Sequence, residues 1–279
     1  MNPSIAAIIC AAGSSSRMGG VKKEYLPLEA PPGKEPLSVL ASALRAFYSF
    51  PQIDPIIITI PEGEERPDKY LSEDLRPGEG NGRVFYCTGG PNRRSSVHRA
   101  LAFLETFKNP QGELKASHVL IHDGARPWIK KDLIEKIIAA VLKHGAVIPA
   151  LPLTETPKEL SGELIASPVI AHSQGGAVSP GGAVFPGAVS PDPVFIKDIY
   201  IQGHLRRSRL CTAQTPQAFA FPEILISHKK AEEREKRDNH EYTDDAEIWG
   251  EFSGPVAVIP GDPDNKKITY PEDIKICKE

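Results

Sequence analysis

The chain has 279 residues, 40% of them apolar and 25% charged, a globular composition long enough to bury a core without disulfides or a structural metal. Its formal net charge of -3 gives no bulk attraction for nucleic acid or an anionic membrane, so any anion must be held by local clusters. No apolar run approaches the ~20 residues of a membrane span, and the N-terminus has no basic stretch before its short apolar run. The four cysteines (Cys10, Cys87, Cys211, Cys277) form no CxxC pair, so a cytoplasmic protein with reduced thiols is predicted.

The first element is Ile5 to Cys10, a continuous apolar run of the kind buried on both faces of a parallel sheet. Residues 11–20 are small and polar and must be a loop. Residues 36–50 place Leu37, Leu40, Ala41, Leu44 and Phe47 at helical spacing, with Pro36 as a first-turn proline. Strands are predicted over 55–60 and 83–87, and a helix over 93–107 carries Val97, Leu101 and Leu104 on one face. A strand over 118–121, a helix over 131–143 and a strand over 146–151 follow. Strands alternating with helices predict an α/β fold with a mostly parallel sheet covered on both faces and right-handed crossovers.

The alternation fails between about Pro157 and Arg209. Within this stretch residues 175–191 read GGAVSPGGAVFPGAVSP, a near-repeat with too few large apolar groups for a core of its own. It is read as a loop or hairpin tip on an arm projecting from the sheet, with 169–171 and 194–201 extended on its flanks. The chain thus divides into an α/β domain, 1–156 and 210–279, and an arm, 157–209. After the arm come a helix over 222–236, a short helix over 244–250 capped by Thr243, a strand over 255–259, and a terminal turn over 271–276 with Thr269 or Tyr270 near its cap.

Most of the chemistry-bearing motifs follow predicted strands, where ligands of open parallel sheets collect. Ala11-Ala12-Gly13-Ser14-Ser15-Ser16-Arg17 lets backbone N–H groups approach phosphate oxygens, and Arg17, Lys22 and Lys23 supply charge. The spacing satisfies neither GxGxxG nor GxxxxGK[ST], and reads as a triphosphate cradle. His122-Asp123-Gly124-Ala125-Arg126-Pro127 offers Asp123 for a divalent cation and Arg126 for a substrate anion, while His122 is expected to pack beside its strand. Gly89-Gly90-Pro91-Asn92-Arg93-Arg94-Ser95-Ser96 allows close backbone approach to a base or sugar. Thr154-Glu155-Thr156-Pro157-Lys158, Gln214-Thr215-Pro216-Gln217, Thr243-Asp244-Asp245 and the run from Gly261 to Thr269 complete the set.

In this order, the motifs AAGSSSRMG, KKEYL, GGPNRRSSV, HDGARP, TETPK, QTPQ, TDD and NKKIT…PED resemble the 2-C-methyl-D-erythritol 4-phosphate cytidylyltransferases of non-mevalonate isoprenoid synthesis, within the wider nucleotidyltransferases. The resemblance runs from Ile5 to Asp273, with gaps at 62–82 and in the arm. It implies a Rossmann-like domain with a β-arm that intertwines in a homodimer, and a reaction of CTP with a small polyol phosphate, methylerythritol phosphate, under Mg²⁺. Carried over by motif, Ala11, Ala12, Gly13 and Ser14 should line the CTP site and Arg17 and Lys23 should grip the triphosphate. Gly90 and Ser96 should contact cytosine or ribose, and Asp123 the metal or the substrate hydroxyls. Arg126 and Thr156 should hold the methylerythritol phosphate with Arg207 from the partner subunit's arm, and Lys267 should sit over the phosphates.

The sequence departs from the family pattern at Lys22, usually Pro, at Glu24, often Gln, at Glu155-Thr156 for Asp-Thr, at Asn265-Lys266-Lys267 for Asn-Ile-Lys, and in an arm roughly thirty residues longer than usual. Ala11-Ala12-Gly13 and Lys158 favour methylerythritol phosphate over another polyol phosphate such as ribitol 5-phosphate. A nucleotide-binding relative without turnover is the third reading, and the retention of Arg17, Lys23, Asp123 and Lys267 weighs against it.

Overall fold

A computed structural model describes residues 4–15, 18, 21–30, 33, 35–77, 82–108, 111–112, 114–162, 199–270 and 273–274. The chain divides into two compact units, Met1–Leu151 with Thr212–Glu279, and Pro152–Cys211.

The larger unit is built on a sheet of β1 (Ile5–Cys10), β2 (Ile53–Ile60), β3 (Val84–Thr88), β4 (His118–Asp123), β5 (Ala146–Pro152), β9 (Gln217–Ala220) and β10 (Ala257–Pro260) in the order β10-β5-β9-β4-β1-β2-β3. β8 (Cys211–Ala213) pairs with β5. β1 is parallel to both β2 and β4, and β10 is parallel to β5. β9 runs antiparallel to both its neighbours, wedged between β4 and β5. It was not legible as a strand: a short Gln-Ala-Phe-Ala segment between Pro216 and Pro222 has too few residues to show a period.

The continuous apolar runs of β1 and β2 are buried because both sheet faces are covered. On one face α1 (Val39–Tyr48) and α3 (Lys131–His144) pack Leu44, Phe47, Ile134 and Ile137 against Ile9 and Ile58. On the other, α2 (Arg93–Leu104), α4 (Glu223–Asp238) and α5 (Asp245–Phe252) set Val97, Leu101, Leu225 and Trp249 around Ile8, Ile57 and Phe219. Helix α1 starts later than its apolar spacing predicts. Ser38 caps it, its Oγ accepting the Ala41 N–H at 3.0 Å, so Pro36 lies outside the helix.

Helix α5 is capped by Asp244 and not by Thr243. The Asp244 carboxylate accepts the Glu247 N–H at 2.9 Å, while Thr243, one residue earlier, donates its N–H and hydroxyl to the Glu247 carboxylate. Both residues have capping chemistry; the carboxylate wins the cap because it is the one at extended backbone immediately before the first turn.

The smaller unit contains an antiparallel pair, β6 (Lys158–Leu160) and β7 (Ile201–His204). The repeat at 175–191 and the flank at 169–171 lie outside the described residues, as do 194–198 and most of the terminal turn at 271–276. Among the described residues no helix is long and apolar enough to cross a membrane.

Candidate active site

Parallel pairing of β1 with β4 sets Cys10 opposite Asp123, so the loops after these two strands leave the sheet side by side. The Gly124 N–H donates to the Cys10 carbonyl at 2.9 Å, and a side chain at Gly124 would stand 2.9 Å from that oxygen and 3.3 Å from the Ala11 Cβ. Glycine is therefore required for this close approach. Between these loops and the start of α2 lies a cavity of about 330 Å³. It is lined by Ala12, Gly13, Ser14, Lys23, Gly90, Ser96, Asp123 and Lys267, each assigned to the site from sequence, by Ser15, Asn92 and Arg93 from the same motifs, and by Cys10, Glu24 and Thr59, among others, to which sequence gave no binding role.

The chain brings Lys267 here by stitching its C-terminal loop to the sheet. Gln214 Nε2 donates to the Asp262 carbonyl at 2.9 Å, and its Oε1 accepts the Asp262 N–H at 3.1 Å. Asn265, fully buried, donates from Nδ2 to the Thr215 carbonyl at 2.8 Å. The Ile268 N–H donates to the Ala125 carbonyl at 2.9 Å.

Asp123 is the charge centre. Lys267 Nζ lies 3.1 Å and Arg126 Nε 3.2 Å from its Oδ2, and Arg93 Nε lies 3.6 Å from its Oδ1. Burial pushes this carboxyl up, but the cations of Lys267, Arg93 and Arg126 outweigh it and hold Asp123 well below the usual carboxylate range. Arg126 is committed on both sides, its Nη1 also donating to the Asn265 carbonyl at 2.8 Å.

Arg93 reaches further. Its Nη2 stands 2.8 Å from Oδ2 of Asp245, a residue with no exposed surface, and His228 Nε2 lies 3.2 Å from Asp245 Oδ1. The Thr243-Asp244-Asp245 motif thus splits into a cap and a buried counter-ion. A signal for this existed in the second acidic residue, which a cap does not use.

His122 is fully buried and neutral. Its Nε2–H donates to the Arg126 carbonyl at 3.2 Å, and its Nδ1 accepts the Thr215 hydroxyl at 3.0 Å, while that hydroxyl oxygen accepts the Asp123 N–H at 3.1 Å. Burial pushes its pKa down to about 4. It serves as a brace for the strand end, with no opening for proton transfer to the cavity.

In the first loop, the Ala11 N–H donates to Thr59 Oγ1 at 3.2 Å, so Ala11 is buried and fixes where the loop begins. Ser15 donates to Glu24 Oε2 at 3.2 Å, and burial raises the pKa of Glu24. Arg17 lies outside the described residues. The Ser96 hydroxyl accepts the Gly90 N–H at 3.0 Å and donates to the Asn92 carbonyl at 2.8 Å, so both residues shape the turn before α2. Thr156 and Arg207 belong to the smaller unit, where both are exposed and Arg207 Nη1 donates to the Thr154 carbonyl at 2.6 Å.

Among the described residues no three His, Cys, Asp or Glu side chains gather as a metal site. The described residues thus offer no cage made wholly of protein ligands. A cation that brings most of its oxygens as phosphate and water, and takes one carboxylate from the protein, fits Asp123.

The chain matches the family model for 2-C-methyl-D-erythritol 4-phosphate cytidylyltransferase over residues 5–175 and 179–278. It is 33% identical over 282 residues to the 2-C-methyl-D-erythritol 4-phosphate cytidylyltransferase of Syntrophotalea carbinolica, covering 99% of this chain and 95% of that one. It is 32% identical over 278 residues to the bifunctional enzyme IspD/IspF of Bartonella bacilliformis, covering 99% of this chain but 56% of that one. The chain thus spans about half the length of several curated relatives it matches. The crystal structure of 4-diphosphocytidyl-2C-methyl-D-erythritol synthase from Anaerococcus prevotii superposes with a TM-score of 0.67 at 26% identity, covering 99% of this chain and 94% of that one.

Proposed function

We propose, since this chain belongs to the 2-C-methyl-D-erythritol 4-phosphate cytidylyltransferase family, that it transfers CMP from CTP to 2-C-methyl-D-erythritol 4-phosphate and releases pyrophosphate. One observation carries the reading from this chain's own residues. Lys23, Asp123 and Lys267, from distant segments, line one cavity with a small-residue loop at the carboxyl ends of β1 and β4. Its volume, about 330 Å³, is within the range of small-molecule sites.

In the proposed reaction an oxygen of the acceptor phosphate attacks the α-phosphorus of CTP. The new P–O bond forms as the bond from the α-phosphorus to the bridging oxygen breaks, and the electron pair leaves with pyrophosphate. The acceptor phosphate is already anionic, so no general base is needed, which agrees with a neutral, buried His122. Catalysis then rests on positioning and charge neutralisation. Lys23 and Lys267 hold the polyphosphate, Arg17 is assigned the same task by its motif, and the loop of Ala12, Gly13 and Ser14 presents backbone N–H groups. Asp123, kept ionised by its cations, supplies the carboxylate for Mg²⁺ arriving with the triphosphate. When bound, that ion would neutralise charge on the phosphates.

We also assign a homodimer formed through the smaller unit. Its Tyr200, Ile201 and Leu205 remain 65%, 54% and 43% exposed, large apolar side chains that a second copy would cover.

The test is pyrophosphate release, with CTP, UTP, ATP and GTP each offered methylerythritol phosphate and ribitol 5-phosphate. Turnover is expected for CTP with methylerythritol phosphate. Lys23→Ala and Lys267→Ala are each expected to lower it by about 100- to 1000-fold with the fold intact by circular dichroism. Near-parental rates in both variants, or turnover with ribitol 5-phosphate alone, would overturn the reading.

A further inference from the structure

Lys22 and Lys23 are neighbours in sequence but not in task. Lys23 lines the cavity, and Lys22 does not. The Lys22 ammonium donates to the Gly13 carbonyl at 2.7 Å and pairs with Glu64 Oε1 at 3.1 Å. With side chains only 18% and 38% exposed, the two form a partly shielded clasp. Both line a second, more open groove of about 490 Å³.

Gly13 faces open space. A side chain there would meet nothing within 4 Å. Two residues on, Ser15 sits at φ 51, a left-handed conformation that costs a non-glycine residue energy and persists only where its surroundings enforce it. The loop is therefore held by polar tethers at Ala11, Ser15 and Gly13, and the last of these is Lys22.

The peptide joining Gly13 to Ser14 is planar, so its C=O and N–H point in opposite directions. Fixing the carbonyl on Lys22 fixes the Ser14 N–H, which has no acceptor among the described residues and belongs to a residue lining the cavity. A charge on the carbonyl oxygen also polarises the peptide and strengthens that N–H as a donor.

We propose that Lys22, clasped by Glu64, is a positioning residue for the nucleotide. It turns the Gly13–Ser14 peptide so that the Ser14 N–H faces the polyphosphate, while Lys23 makes the direct contact. This rests on the proposed use of the cavity by CTP.

Calorimetric titration of CTP with Mg²⁺ tests it, alongside steady-state kinetics and thermal midpoints for Lys22→Met, Lys22→Arg and Glu64→Gln. Lys22→Met is expected to weaken CTP binding about tenfold, the size of losing one charge-assisted hydrogen bond. Glu64→Gln should weaken it less but in the same direction, and Lys22→Arg should keep most of it, all with thermal midpoints near the parent's. Tighter CTP binding in Glu64→Gln would mean Lys22 itself reaches the phosphates, and would overturn the proposal. So would unchanged affinity in Lys22→Met and Glu64→Gln with only the midpoints lowered. A parent chain that binds no CTP removes the nucleotide reading and this inference together, whereas parental binding with unaffected variants removes the inference alone.

Discussion

At the scale of single residues, an interaction costly to disturb centres on a carboxylate with no exposed surface. Arg93 stands between Asp123 and Asp245, and Asp245 has no exposed surface. Burial alone would raise the Asp245 pKa, but Arg93 and then His228 outweigh it and keep the carboxyl below its ordinary value. Removing one partner of such a pair leaves the other uncompensated in the interior, which typically costs ~3–5 kcal/mol. Asp245→Asn is therefore expected to lower unfolding stability by about that much in urea titration. The motifs named Asp123 because a carboxylate after a strand is placed to hold a divalent cation, and Lys267 because its segment resembles the family's phosphate-binding segment. They could not name Arg93 or Asp245 as a pair, because the contact joins the starts of two helices that sequence spacing does not relate.

At the scale of elements, the C-terminal loop shows how a side chain far along the chain reaches the site. Gly261 follows β10, and its N–H donates to the Ala150 carbonyl at 2.8 Å. A side chain at Gly261 would approach Gln214 Oε1 to 2.5 Å and the Ala150 oxygen to 3.2 Å. Gln214 is the residue that clamps Asp262 on both its N–H and its carbonyl. Gly261→Ala should therefore push the clamp apart and shift Lys267. A displacement of about 1 Å at a charge that positions substrate can cost on the order of 100-fold in rate, so with Lys267 in its proposed role turnover should fall that far while the thermal midpoint moves little. Kinetics paired with differential scanning calorimetry would check both halves. The parallel strands and the amphipathic helices were readable because burial on two faces, or on one, leaves a period in the sequence. The antiparallel β9 left none, yet the Gln214-Thr215 segment that anchors the loop leads directly into it.

At the scale of the whole molecule, the proposed dimer makes a testable claim about mass. Sedimentation equilibrium should give twice the chain mass, and a Tyr200→Asp, Ile201→Asp double substitution should return the single-chain value, since charges on a buried apolar patch are costly to desolvate. Composition marked 157–209 as a break in the α/β alternation. It could not supply the pairing of β6 with β7, whose segments lie forty residues apart in sequence and alternate weakly.

The register of β1 against β4 has one more consequence. Cys10 faces Asp123 only in the observed alignment, and a slip by a single position would send the Asp123 side chain to the opposite face of the sheet. Neither strand alone contains a binding site; the site comes into being when the sheet's centre zips correctly. Any ligand that prefers this cavity will thus select for the correctly paired centre by mass action.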